Sequence, residues 1–202
     1  TYEDVELNSN NSPAPAQDNM DVITGKIRVV SGLTESGKAK LASNKNLVVP
    51  AVDDNGNKVQ GVGSNAFKSL GLESVDLPKN VKAPSNGQWD SNVTTRGDFF
   101  IGSSAFQGNN LTELTVPEGT IYIGGNAFNK NKLKSVKLPS TLMLIANGAF
   151  ANNEIANLEF PKTTDYPLSI DNMAFAINKI ESVQLPDKTE KVTKWAFLRN
   201  TG

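Results

Sequence analysis

Residues 101–117 read IGSSAFQGNNLTELTVP and residues 123–139 read IGGNAFNKNKLKSVKLP. The two stretches match position for position at a spacing of 22 residues, and that spacing decides the fold. The same pattern occurs as VGSNAFKSLGLESVDLP (62–78), IANGAFANNEIANLEFP (145–161) and IDNMAFAINKIESVQLP (170–186). A sixth copy begins as VTKWAFLRN at 192–200 and lacks its second half. Its marker phenylalanines are Phe67, Phe106, Phe128, Phe150, Phe175 and Phe197, at spacings of 39, 22, 22, 25 and 22. A fixed period of this length marks stacked repeats, here with one large and one small insertion.

The second half of each copy follows L-x-x-L-x-L-P, as in Leu111-Thr112-Glu113-Leu114-Thr115-Val116-Pro117. Its alternation is that of a strand: Leu114 and Val116 turn to one side, Glu113 and Thr115 to the other. So short a strand cannot bury enough surface alone, and stacking successive copies makes a parallel sheet over a shared core. The proline ends the strand because it has no N–H for the ladder. A second apolar patch, such as Ile121 and Ile123, precedes the Ala-Phe pair. The repeated phenylalanine predicts a buried aromatic column, and the alanine a place where coils approach closely. Three residues after each phenylalanine stands Asn109, Asn131, Asn153, Asn178 or Asn200, with Leu70 in the first copy. Asparagine here is either a turn residue or a buried amide bonding the backbone of two coils. Its constant phase favours the buried ladder.

Outside the repeats, residues 1–24 are polar and Pro-containing, and read as a flexible linker that follows a larger protein or holds an exported chain off a surface. Residues 25–61 read as an N-terminal cap. Lys26–Val30 is a strand, Thr34 caps a helix through Lys38–Ala42, Leu47–Val49 is a strand stopped by Pro50, and Asn55-Gly56 is a hairpin turn. The repeats occupy 62–202, with the insertion at 79–100.

The chain has 202 residues, a net charge of −1, no cysteine and no histidine. Ser-His-Asp and Cys-His catalysis, thiolate chemistry, the usual zinc sites and a histidine pH switch are thereby excluded. Twenty basic against 21 acidic residues leave no global attraction for nucleic acid. No apolar run is long enough for membrane insertion.

Four local signals carry possible chemistry. Gly32-Leu33-Thr34-Glu35-Ser36-Gly37-Lys38 has phosphate-loop spacing, but Ala39 stands where the magnesium-holding Ser or Thr is needed, so a strand-turn-helix cap is expected. Asp53-Asp54-Asn55-Gly56-Asn57 looks like a calcium loop with its glycine two places early, and reads as a turn. Arg96-Gly97-Asp98 could offer a guanidinium and a carboxylate to a receptor, with a plain polar loop as the alternative. Trp89 could be a sugar or protein anchor, or could fold back over the first coils.

The I-G-x-x-A-F-x-x-N-x-L-x-x-L-x-L-P unit resembles the bacterial leucine-rich repeat of the BspA type over about 62–200. The piece from Gly32 to Phe67 resembles the segment that often precedes such repeats in Gram-positive surface proteins. The resemblance implies an α/β repeat: a right-handed leucine-rich-repeat solenoid with short parallel strands on one face and a small strand-helix cap. It implies a secreted or cell-surface bacterial protein that binds or adheres, with no catalytic residue, metal or cofactor to carry over. The expected partner is an extracellular protein or glycan, and further domains of the same chain are expected. Candidate contact residues are Asp76, Glu113, Thr115, Lys137, Asn157, Glu159 and Gln184 on the strand face, with Trp89, Arg96 and Asp98 in the insertion. The alternatives are a spacer displaying another domain, a carbohydrate-binding module built on the insertion, or a two-carboxylate glycosidase.

Overall fold

The computed structural model describes residues 1–7, 25–79 and 99–200. Each coil carries two strand positions. The first, which precedes the Ala-Phe turn, is β4 (Gly61–Val62), β6 (Phe99–Ile101), β8 (Thr120–Ile123), β10 (Leu144–Ile145), β12 (Leu168–Ile170) and β13 (Thr189–Val192). These run parallel in chain order, and β2 (Gly25–Val30) joins beside β4. β1 (Tyr2–Leu7) closes that end, antiparallel to β2.

The second strand position is the L-x-L segment. β3 (Asn46–Val48) pairs with β5 (Ser74–Asp76), and β7 (Glu113–Thr115), β9 (Ser135–Lys137) and β11 (Asn157–Glu159) form a separate ladder. All these pairs are parallel and in register. Strands therefore line two faces of the solenoid, and the longer ladder is the one built on the Ile-x-Ile patch. Its inward row is Val30, Val62, Ile101, Ile123, Ile145 and Ile170, all β-branched and so suited to a pleated, packed surface, and the row ends at the exposed Val192 of the last coil.

The core lies between the two faces. Phe67, Phe106, Phe128, Phe150, Phe175 and Phe197 form one stacked column with centroids 5.2–5.5 Å apart. The first five are buried and Phe197 is half-buried. On the other side of the longer ladder a smaller cluster joins Ile27, Val29, Phe100, Ile121 and Met143, with Tyr122 and Tyr166 packed against it.

The backbone turns sharply on both sides of each phenylalanine. Two residues before it, Asn65, Ser104, Asn126, Gly148 and Met173 have φ of 56–65°. Two residues after it, Ser69, Gly108, Lys130, Asn152, Ile177 and Arg199 have φ of 54–73°. The unusual backbone angles thus sit beside the ladder asparagines rather than at them. Four residues before Phe128, Gly124 is crowded: a Cβ there would lie 2.6 Å from Gly102 C and from Ser103 N. Neighbouring coils approach closely at this glycine. The alanines next to the phenylalanines are buried except for the half-buried Ala66.

The asparagines form the expected ladder. Asn131 Nδ2 donates to Phe106 O (3.0 Å) and to Phe128 O (3.1 Å), and its Oδ1 accepts from Leu111 N (3.2 Å). Asn109, Asn153, Asn178 and Asn200 repeat the scheme. Every amide thus joins its own coil to the one before.

α1 (Glu35–Ser43) sits in the cap, with Thr34 Oγ1 accepting from Gly37 N at 3.1 Å as anticipated. The helix buries Leu41. The Asn55-Gly56 turn is also present, between residues bridged as Val52 and Lys58, with Gly56 at φ 80°.

Two expectations about local structure are corrected. Residues 2–7, assigned to the linker on composition, form β1, because pairing with β2 satisfies a segment whose polar composition hides its strand character. Glu181–Leu185, expected as a strand, joins no ladder, and Val183 and Leu185 are half-buried where Val136 and Leu138 are buried. Residues 8–24 of the linker and 80–98 of the insertion lie outside the described residues.

Candidate functional site

The L-x-L face is built by alternation. Leu114, Val136 and Leu158 point into the core and fix their strands, so the residues on either side must point out. The parallel register then lines these outward residues into two rows. One row is Glu113, Ser135 and Asn157, and the other is Thr115, Lys137 and Glu159. Upstream, Asn46 faces Ser74 and Val48 faces Asp76. Asp76, Glu113, Thr115, Lys137, Asn157, Glu159 and Gln184 are all exposed. The structure brings Thr115, Lys137 and Glu159 together in one row. It does not bring Gln184 into the ladder, and Asp76 belongs to the separate β3–β5 pair.

Hydrogen bonds tie parts of the face. Ser74 Oγ donates to Asn46 Oδ1 at 2.7 Å. Asn157 Nδ2 donates to Ser135 Oγ at 3.4 Å and to Glu159 Oε1 at 3.3 Å. Charges alternate along the lower row and its diagonal, with Lys137 between Glu113 and Glu159. Glu113 and Glu159 stand on strands separated by β9 and in different rows, so their backbones are about 10 Å apart sideways and further along the strand. That spread does not match the converging carboxylates a glycosidase needs. Among the described residues no group of three acidic side chains could hold a metal ion.

The cap resolves the two loop motifs. Lys38 Nζ pairs with Glu35 at 2.7 Å and Gly37 N is taken by Thr34, so the Gly32–Lys38 stretch is a capped helix start. Asp53 is buried, and its carboxylate is saturated within the turn. Oδ1 accepts from Asn55 N and Asn57 N at 2.9 Å, and Oδ2 accepts from Asn57 Nδ2 at 3.0 Å and Arg28 Nε at 2.9 Å. The Asn57 side chain above all, then the backbone N–H groups and the Arg28 charge, outweigh desolvation and hold Asp53 down at about 2. This is a structural turn. Arg96, Asp98 and Trp89 lie outside the described residues.

One feature was not anticipated. Val48 is 69% exposed, the most open large apolar side chain described. Cavities of about 250 Å³ and 330 Å³ lie beside it, one toward α1 and one toward Asp76 and Lys79. The signal was present in the sequence. Val48 holds a row position that is Asp76, Thr115, Lys137 and Glu159 elsewhere, and it is the apolar one.

The family model of the BspA type leucine rich repeat region matches in six copies over residues 26–93 and 100–201. No curated protein matches. A solved structure, a leucine-rich repeat protein from Bacteroides ovatus ATCC 8483, is 22% identical with a TM-score of 0.33. The match covers 80% of this chain and 55% of the other, so the chain spans about half of that protein's length. With twin parallel ladders, an aromatic column and an amide ladder repeated in one phase, the chain belongs to the BspA-type leucine-rich repeat family.

Proposed function

We propose that the chain is a non-enzymatic binding module that holds an extracellular protein on its polar strand face, at a bacterial cell surface or as a secreted protein. The family is one of protein-interaction repeats. The observation that carries the reading is the pair of in-register rows. Glu113, Thr115, Lys137, Asn157 and Glu159 are exposed on strands anchored by buried residues, so polar groups are presented at fixed spacing with little ordering left to complete on binding. No helix of the described residues is long and apolar enough to cross a membrane.

The test is a triple variant, Glu113→Lys/Lys137→Glu/Glu159→Lys, compared with the parent on arrays of host extracellular proteins and of glycans. Retention of the parent's circular dichroism and unfolding midpoint guards against misfolding. Binding to at least one protein that the variant loses supports the reading. Equal binding by both, or none by either, overturns it. A spacer role is the second reading, favoured by the mixed charges and the lack of an aromatic anchor on the described part of that face. In that case, function would survive the triple variant.

A further inference from the structure

Three junctions between strands show how a strand on the L-x-L face is completed. Lys137 C=O accepts from Val116 N, Glu159 C=O accepts from Leu138 N, and Asp76 C=O accepts from Val49 N, each at 2.9 Å. In every case the residue in the lower row receives an N–H from the coil before it. Val48 holds that row position on β3, and its C=O has no donor among the described residues. Thr115 C=O on β7 also lacks one, but β7 lies beside β5 within the solenoid. β3 has β5 on one side and no strand on the other among the described residues, and the 250 Å³ cavity there is lined by β3 and by the start of α1. That cavity is walled by Leu33, Leu47, Val49 and Phe67, with Asp54 and Val48 also lining it. Asp76 and Lys79 line the adjoining cavity. An open strand edge, an apolar well beside it, an exposed valine in a polar row and two nearby carboxylates thus converge on one place.

We propose that the open edge of β3 docks an extended segment of a partner protein, which adds as a parallel strand. Its backbone N–H donates to Val48 C=O, an aliphatic side chain enters the well against Leu33, Val49 and Phe67, and a lysine or arginine faces Asp54 or Asp76. Main-chain pairing supplies affinity in this mode and the well supplies selectivity. The inference rests on the reading of the chain as a protein-binding module, at a place apart from the polar rows.

The chain's own interior strand supplies a probe, because it already pairs in this way. A blocked peptide of residues 131–140, NKLKSVKLPS, carries the L-x-x-V-x-L pattern and three lysines, two of them within the pattern. It is titrated into isotope-labelled full chain and followed by amide chemical shifts. The expected result is saturable shifts at residues 33–54 and at Phe67. N-methylating the peptide at its Leu138 should abolish them, since that N–H is the donor for Val48 C=O. Gly37→Phe, which fills the well from the helix, and the exposed Asp54→Lys should each weaken binding by roughly tenfold. Absence of shifts, shifts unaffected by N-methylation, or shifts gathered on Glu113–Glu159 overturn the edge site. So does concentration-dependent self-association of the chain alone that Gly37→Phe removes, which would assign the edge to a second copy. A negative peptide titration beside a positive array result removes the edge site and leaves the polar face standing.

Discussion

Asn131 Nδ2 donates to Phe106 O at 3.0 Å across 25 residues of chain, and Phe106 O accepts from Asn109 Nδ2 at 2.9 Å as well. Each interior phenylalanine carbonyl is therefore served by two amides, whereas Leu111 N depends on Asn131 Oδ1. Removing one asparagine leaves the carbonyls partnered and orphans one buried N–H. Asn131→Ala should cost about 1–3 kcal/mol in urea unfolding. Asn131→Asp keeps an acceptor for Leu111 N but sets a buried carboxylate against two carbonyls, and should cost more. The reverse order would disprove the bridging role.

The aromatic column predicts a gradient. Phe128→Ala, with a stacked ring on each side, should cost about 3–5 kcal/mol. Phe197→Ala should cost clearly less, since Phe197 is half-buried and stacks on Phe175 alone. Equal losses measured by urea titration would refute the column as a set of pairwise contacts.

The left-handed positions can be tested in both directions. Ile177 has φ 58°, an unfavourable setting for a β-branched side chain, and it is exposed. Ile177→Gly should therefore raise stability, by roughly 1 kcal/mol. Gly148→Ala should lower it, because φ is 65° and the new Cβ would meet Asn126 Oδ1 at 2.6 Å. Gly124→Ala should cost about 1–3 kcal/mol, since the obstruction is backbone of the neighbouring coil. Unfolding midpoints of the three variants decide the matter.

Stability should decline at both ends of the pH scale through identified groups. Asp53 has a folded-state pKa of about 2 against an ordinary 3.8. The unfolded chain takes up its proton first, so this contribution is present above pH 4 and fades as pH falls toward 2. Asp53→Asn should flatten that limb of the stability curve. Tyr122 is shifted the other way, raised by burial and by the Asp171 charge against a lowering bond from Ser103. Its contribution is present below pH 10 and fades as pH rises through its folded-state value. Tyr122→Phe should remove the alkaline limb.

Much of this fold is legible because the repeat serves as its own alignment. Phe and Asn keep one phase through the coils, so the column and the amide ladder could be read directly, as could the exposure of Glu113, Lys137 and Glu159. The left-handed positions could not. They carry Asn, Ser, Gly, Lys, Met, Ile and Arg, because the tight turn is enforced by packing around the phenylalanine and not by local preference. The greater extent of the Ile-x-Ile ladder was hidden because strands of two to four residues are too short for a clear alternation. β1 escaped notice because pairing with β2, a contact 18 residues or more away in the chain, makes it a strand. The β3 edge was missed because its defining property is an unpaired carbonyl, which no residue type announces.

The amide bridge has a consequence for how such a chain can change over time. Every joint between coils uses the same atoms in the same order, from phenylalanine carbonyl to asparagine amide to the next N–H. Gaining or losing 22 residues in phase leaves each remaining joint intact, and the joints across the 39- and 25-residue spacings are made in the same way. The scaffold is thus varied by whole units and by loops inserted between joints. The residues displayed on its faces can diverge independently of that count.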